Sequence, residues 1–339
     1  MHKAGRKLAI ITGVTGQDGS YLSELLLSRE YHVVGVKRRT STDNTWRIKK
    51  SLSHPYFLLI EGDVTDYSSV VDMFKRALEF CGDVKQDDIE FYNTAAQSHV
   101  HTSFNQPVAT FNVDAIGVLN ILEVIKNQYP LVKLYQCSTS EMFGCNCSIN
   151  EQGKKIQNED TPFNPVSPYA IAKLAAHQMV GLYRTAYDIF ACCGILFNHT
   201  SPRRGDEFVT QKIAKYVGRL HRSGGVLSEK LQLGNLSAYR DFGYAPDYVN
   251  AMYMMLQHDV PDDYVIATNT AYSIRELCEY AFSCVGYDYK DWVVTSDDLH
   301  RPHEVPYLCG DATKAHKVLG WKPTIDFQQL IYIMVNKQC

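Results

Sequence analysis

Thr12-Gly13-Val14-Thr15-Gly16-Gln17-Asp18-Gly19 is the stretch on which the fold turns. It ends the apolar run Leu8–Gly13 and precedes Tyr21–Arg29, where Leu22, Leu25 and Leu26 recur at helical spacing. The glycines stand as G-x-x-G-x-x-G, one residue wider than the G-x-G-x-x-G spacing. In a strand–loop–helix turn, Gly13 permits the tight turn, Gly16 lets a pyrophosphate approach the backbone, and Gly19 lets the helix pack closely on the sheet. The helix N-terminus then offers unpaired N–H groups to phosphate. Gly13, Thr15, Gly16, Gln17, Asp18 and Gly19 are therefore the expected cradle of a dinucleotide.

Outward from this loop the pattern alternates. Strands are expected at Val33–Val36, Phe57–Glu61, Ile89–Asn93, Leu131–Cys137 and Ile189–Leu196. Helices are expected at Ser68–Phe80, Val108–Asn127 and Tyr169–Tyr187. Such alternation predicts an α/β fold, a Rossmann-like doubly wound parallel sheet with ligands at the C-terminal rim of its strands. The second half is less regular, with helices at Phe208–Leu220, Asp247–Gln257 and Ile274–Phe282 among short strands. It reads as a smaller mixed α/β substrate-binding domain. The expected division is 1–190 for the dinucleotide-binding part, with a returning segment near 235–262, and 191–339 for the substrate part.

Bulk properties exclude other classes. The 339 residues are 45% hydrophobic, enough for a sizeable core, and the net charge of −3 gives no basic field for nucleic acid. No apolar run approaches the roughly 20 residues of a membrane span. The run at Leu8–Val14 is too short for a signal peptide. The ten cysteines form no C-x-x-C pair, so they are expected to be reduced and to bind no metal, which favours the cytoplasm.

The end of the second strand bears on the cofactor. An NAD-binder usually places Asp or Glu there for the ribose 2′-hydroxyl. This chain has Arg38-Arg39, whose planar forks suit a 2′-phosphate, so NADP is expected. Asp63, followed by Val64, ends the third strand, where a carboxylate can accept from adenine. Thr94-Ala95-Ala96-Gln97-Ser98 ends the fourth, its small residues leaving room for ribose and nicotinamide.

Tyr169 and Lys173 stand at i and i+4, on one helix face. The nearby ammonium is expected to lower the tyrosine's pKa, so that it can take a hydroxyl proton while the cofactor takes a hydride. At the end of the fifth strand, Ser138-Thr139-Ser140-Glu141 places a hydroxyl and a carboxylate at the rim. Glu141 is expected to supply a second acid/base group beside that tyrosine.

The glycine loop, the Asp63 turn, Ala95-Ala96 and the Tyr169/Lys173 pair together resemble the extended short-chain dehydrogenase/reductases, which act mainly on nucleotide sugars. The wording is similar to the GDP-mannose 4,6-dehydratases within that family. It matches at GVTGQDGSY (13–21), AAQSHV (95–100), Ser138 to Glu141, Ser167 to Ala170, FNHTSPRRG (197–205), Leu233 to Leu236, Arg240-Asp241 and Arg301 to Val305. The resemblance implies NADP as cofactor, GDP-mannose as substrate, no metal, and a cytoplasmic homodimer or homotetramer. It also implies that Tyr169 and Lys173 contact cofactor as well as substrate, that His199 and Arg204 contact cofactor, and that Ser98, Thr139, Glu141, Asn198, Val209, Lys212, Arg240, Arg301 and Glu304 meet the GDP-sugar. Residues 39–47 resemble a loop that there crosses to a neighbouring cofactor. Departures are Ala109, where many relatives have tyrosine, with Thr200 and Tyr239. The alternatives are another nucleotide-sugar 4,6-dehydratase or a 4-epimerase, and the Tyr/Lys pair also permits NADPH-dependent reduction of the 4-keto product. A non-catalytic NADP sensor is argued against by Tyr169 and Glu141.

Overall fold

The computed structural model describes residues 6–299 and 303–339. Arg301, expected to meet the GDP-sugar, lies outside the described residues. A seven-stranded sheet organises the first part of the chain. Its order is Asp263–Ile266, Ala191–Leu196, β5 (Lys133–Thr139), β4 (Ile89–Asn93), β1 (Leu8–Thr12), β2 (His32–Lys37) and β3 (Phe57–Glu61). The pairings β3–β2–β1–β4–β5 are parallel. Strand succession reverses between β1 and β4, and at such a switch point an open α/β sheet binds its ligand.

Both β1 and β4 are buried along their whole length; β1 accordingly reads as an apolar run closed by Thr12, while β4 buries Glu90 and Asn93 among Ile89, Phe91 and Tyr92. Leu8, Ile10, Val34, Phe91 and Leu134 pack with Phe74, Val118, Leu122, Ile125 and Val180 from the covering helices. The helical column Pro107–Gln128 runs 22 residues and is long and apolar enough to cross a membrane, more than the sequence led us to expect. Its apolar face is instead part of this core, through Val118, Ile121, Leu122, Val124 and Ile125. One turn of the column, Asn112–Ile116, is a π-helix.

Chain packing separates two compact units. The first is 1–142, 167–195 and 249–264; the second is 143–166, 196–248 and 265–339. Residues 143–166, expected with the dinucleotide-binding part, thus belong to the second unit, and the returning segment is 249–264.

In the second unit, helices Val209–Arg222, Ile274–Ser283 and Phe327–Asn336 pack on one another through Val217, Leu220, Leu277, Phe282, Leu330 and Met334. Two of them start with reciprocal capping boxes, Ser273 with Glu276 and Asp326 with Gln329, which satisfy orphan N–H groups at the first turn. Tyr239–Asp241 is the central strand of a three-stranded sheet between Ala271–Ser273 and Tyr307–Leu308.

Candidate active site

The glycine loop joins strand to helix as the sequence predicts, with one refinement. Helix α1 runs Gln17–Ser28, so it begins four residues before the apolar periodicity does. Gly13 has φ +68°, a left-handed conformation that glycine adopts without a Cβ clash. A Cβ there would also lie 2.9 Å from the backbone of Thr94 and Ala95, so β1 and β4 approach too closely for any side chain. At Gly19 a Cβ would lie 2.6 Å from the Gly13 carbonyl oxygen. The Gly16 N–H donates to that same carbonyl at 2.9 Å, closing the turn. Gln17 is buried, Asp18 and Thr15 are half-buried and Gly16 is exposed. Arg47, not expected here, donates to the Thr15 carbonyl of its own chain at 3.3 Å.

Polar side chains tie the strand ends at the switch point. Thr12 Oγ1 donates to Asn93 Oδ1 at 2.6 Å, and Asn93 Nδ2 donates to Gln136 Oε1 at 2.7 Å. All three residues are buried. Thr94 Oγ1 returns to the Thr12 carbonyl at 2.7 Å. Fully satisfied buried networks of this kind fix geometry, because each alternative leaves a desolvated group unpaired. Thr94, Ala95, Ala96 and Gln97 follow half-buried, and Ser98 is exposed. Arg38 and Arg39 are exposed just past β2, Asp63 is half-buried past β3, and Val64 is buried beside Gly117.

The reactive residues come together in the first unit. Ser167 caps the helix Pro168–Ala186, its hydroxyl accepting from the Ala170 N–H at 3.1 Å, and Pro168 occupies the first turn. Tyr169 and Lys173 are buried on one face of this helix, at 8% and 2% exposure. Tyr169 hydrogen-bonds the side chain of Thr139 at the tip of β5. The Glu141 N–H donates to Thr139 Oγ1 at 3.3 Å, and Glu141 is itself 7% exposed. One hydroxyl therefore links phenol and carboxylate-bearing turn.

The charge state of Tyr169 departs from expectation. Its pKa is raised above the ordinary tyrosine value, first by burial and then by the negative charges of Asp114 and Glu141, with the Thr139 hydrogen bond opposing. Lys173 acts on Asp114 instead. That carboxyl is pushed up to about 6 by burial, against the pull of Lys173 and of the Gln97 N–H, which donates to Asp114 Oδ1 at 2.7 Å. Asp114 Oδ2 is buried without a hydrogen-bond partner among the described residues. Sequence reasoning passed over Asp114. Its signal was a lone carboxylate inside the largely apolar stretch from Val113 to Leu122.

In the second unit, Asn198 and His199 precede Thr200, and the His199 ring stacks on Tyr248 at 4.6 Å between centroids. His199 Nδ1 lies 2.8 Å from the Phe197 carbonyl. Arg204 lies over the Phe208 ring at 3.6 Å. Val209, half-buried, opens the helix that carries exposed Lys212. Arg240, buried on the central strand, donates to Glu304 Oε1 at 2.7 Å. Glu304 thus already serves an arginine, an engagement that the sequence, in which they stand 64 positions apart, did not reveal. Among the departures, Ala109 is exposed, Tyr239 is exposed, and Thr200 is buried with its hydroxyl 2.8 Å from that of Thr210.

The family model described as GDP-mannose 4,6 dehydratase matches residues 10–334. The chain belongs to the GDP-mannose 4,6-dehydratase family. It is 46% identical to GDP-mannose 4,6 dehydratase 2 of Arabidopsis thaliana, over 98% of this chain and 87% of that one. To GDP-mannose 4,6 dehydratase 2 of Caenorhabditis elegans it is 44% identical, over 97% of this chain and 88% of that one. In fold it is similar to the dTDP-glucose 4,6-dehydratase of Bacillus anthracis, a crystal structure in complex with NAD, with TM-score 0.80 at 23% identity, 97% of this chain and 96% of that one being covered. Family membership makes this chain a hydro-lyase of nucleotide-sugar biosynthesis that binds an NAD(P) dinucleotide. The cradle fits such a group, since backbone contacts leave no room for a Cβ at Gly13 or Gly19 and the helix N-terminus opens at exposed Gly16.

Proposed function

We propose that this chain converts GDP-D-mannose to GDP-4-keto-6-deoxy-D-mannose and water with NADP as resident cofactor, Tyr169, Lys173, Thr139 and Glu141 moving the protons. The observation that carries this reading is the Thr139 hydroxyl, hydrogen-bonded to Tyr169 and accepting from the N–H of Glu141. The nicotinamide, for which Thr94, Ala95, Ala96, Gln97 and Ser98 would make room, would supply reversible hydride acceptance with no net change in oxidation state.

The residues divide the remaining work. Burial keeps the Tyr169 phenol protonated, so its conversion to a base depends on positive charge in the site. Lys173, one turn along the same face, supplies an ammonium. Tyr169 takes the C4 hydroxyl proton while Thr139 holds the C4 oxygen. The 4-keto group acidifies C5; Glu141 takes that proton and donates one to the departing C6 hydroxyl, which leaves as water. The proton that Tyr169 took from the C4 hydroxyl is then the one returned at C5, which leaves both residues as they began. Arg38 and Arg39, with no carboxylate at the end of β2, favour a 2′-phosphate and hence NADP. Asn198, Val209, Lys212, Arg240 and Glu304 are assigned to the GDP-sugar, Arg240 and Glu304 acting as a pair. His199 and Arg204 are assigned to the cofactor.

Exposed Val108, Phe111 and Ile116 on one helical column, with Ile171 and Leu182 on the neighbouring helix, support a homo-oligomer, to be read by light scattering. All ten cysteines are unbridged, which suits a cytoplasmic protein. The deciding experiment is Glu141→Gln with GDP-mannose labelled with deuterium at C4. The variant is expected to oxidise C4 and stall before loss of water. Final product at the normal rate would remove Glu141 from the mechanism.

A further inference from the structure

The helix that carries Tyr169 and Lys173 buries a third functional group on the same face. His177 follows at the next i+4 step and is 8% exposed. Its Nδ1 lies 3.1 Å from Ser138 Oγ, and its Nε2 lies 3.7 Å from Asp263 Oδ2. The other oxygen of Asp263 is bound by Arg184, from the last turn of the same helix, whose Nε also donates to the Ala191 carbonyl at 2.7 Å. Burial lowers the His177 pKa, so the imidazole is neutral. The carboxylate beside Nε2 favours the proton there, which leaves the Nδ1 lone pair to accept the Ser138 hydroxyl. The imidazole is thus hydrogen-bonded to the hydroxyl on one side and faces the carboxylate at ion-pair distance on the other, in the core of the first unit.

Cys193 adjoins this cluster, and its sulfur lies within 4.8 Å of the His177 and Asp263 ligand atoms. The set does not suit a metal ion, because Arg184 already neutralises the carboxylate that would have to bind it. Nor is Ser138 placed as a nucleophile, being 4% exposed. What the cluster does is hold the tip of β5. Ser138 precedes Thr139, whose hydroxyl bonds Tyr169.

We propose that His177 is a positioning residue for the dehydration: oriented by Asp263, it grips Ser138 and so keeps Thr139 in register with Tyr169 on the same helix. The proposal rests on the roles given above to Thr139 and Tyr169. Misplacement of a reacting group by about 1 Å can cost on the order of a hundredfold in rate. A His177→Leu variant loses the grip. A His177→Asn variant keeps an amide oxygen able to accept from Ser138.

The test is steady-state turnover of GDP-mannose with thermal unfolding alongside. His177→Leu is expected to lower kcat tenfold or more with KM within twofold of wild type, and His177→Asn to recover most of it. Ser138→Ala should match His177→Leu, and the double variant should be no slower than either, since both break one link. Unchanged kcat in folded His177→Leu, a fall in kcat fully accounted for by the loss of folded protein, or multiplying effects in the double variant would overturn it. If His177→Leu does not fold, Ser138→Ala alone decides, and wild-type turnover there ends the proposal. Tyr169→Phe serves as the control: normal turnover in that variant would sink the assignment of Tyr169, whatever His177 does.

Discussion

Gly19→Ala is the sharpest probe of the cradle. The added methyl would stand 2.6 Å from the Gly13 carbonyl oxygen, 2.7 Å from Val14 Cα and 3.0 Å from the Gly13 carbonyl carbon, where ordinary contact begins at 3.4 Å. All three are backbone atoms, so no rotamer change relieves the overlap. The start of α1 must recede by about 0.7 Å, carrying its N–H groups away from the phosphates; overpacking of this kind costs about 1–3 kcal/mol. That strain is carried by free and bound protein alike; loss of one displaced N–H-to-phosphate bond, about 2 kcal/mol at about 1.4 kcal/mol per tenfold, should weaken NADPH about 30-fold. Gly181→Ala makes the same chemical change in the interior of the Pro168–Ala186 helix, where no atom lies within 4 Å of the new methyl. It should leave affinity unchanged and raise stability by up to about 1 kcal/mol. Fluorescence titration with NADPH measures both. If Gly19→Ala binds within twofold of wild type, the close approach of helix and loop does not govern the cofactor site.

Arg38→Ala and Arg39→Ala should each weaken NADPH by about tenfold to a hundredfold while leaving NADH affinity unchanged, since each removes a charge-assisted bond to the 2′-phosphate; equal losses for both nucleotides would contradict the assignment. Tyr169→Phe should lower kcat by about 10²–10⁴ with KM preserved, read from 4-keto product formation; a KM effect alone would make the tyrosine a binding group. Asp241 is fully buried and raised from 3.8 to about 6 by burial, so the native state holds its proton more tightly than the unfolded chain does. Its contribution to stability is complete below pH 3.8 and is lost as pH rises through 6, about 3 kcal/mol in all. Urea unfolding of wild type against Asp241→Asn from pH 4 to 7 should show that difference; parallel curves would refute it.

Much of this was legible because it is local. The spacing of Gly13, Gly16 and Gly19 encodes one turn, and β1, buried along its whole length, announces itself as an apolar run. The start of α1 at Gln17 was missed because its first turn is small and polar and is held by the loop rather than by an apolar stripe. The edge strand Asp263–Ile266 is too short for periodicity to mark. Burial is a property of the folded whole, so the rise in the Tyr169 pKa ran against a reading built on its i+4 neighbour. His177 was visible as an i+8 position from Tyr169, but its partners Ser138 and Asp263 come from distant segments. The Arg240–Glu304 pair, likewise, joins residues that only the fold brings together.

The chain of side chains from Thr12 through Asn93 to Gln136 has a consequence for how this sequence can drift or be redesigned. Each amide is oriented by the next, so the three positions form one allele rather than three. Asn93→Asp would turn a donor toward Gln136 into an acceptor, and two oxygens would then face each other in a site closed to water. A compensating change at Gln136 becomes tolerable only after that one, and harmful before it. Pooled mutagenesis should therefore find strong sign epistasis between Asn93 and Gln136 and little between either and the exposed loops, marking the strand ends as the least separable part of the enzyme's sequence.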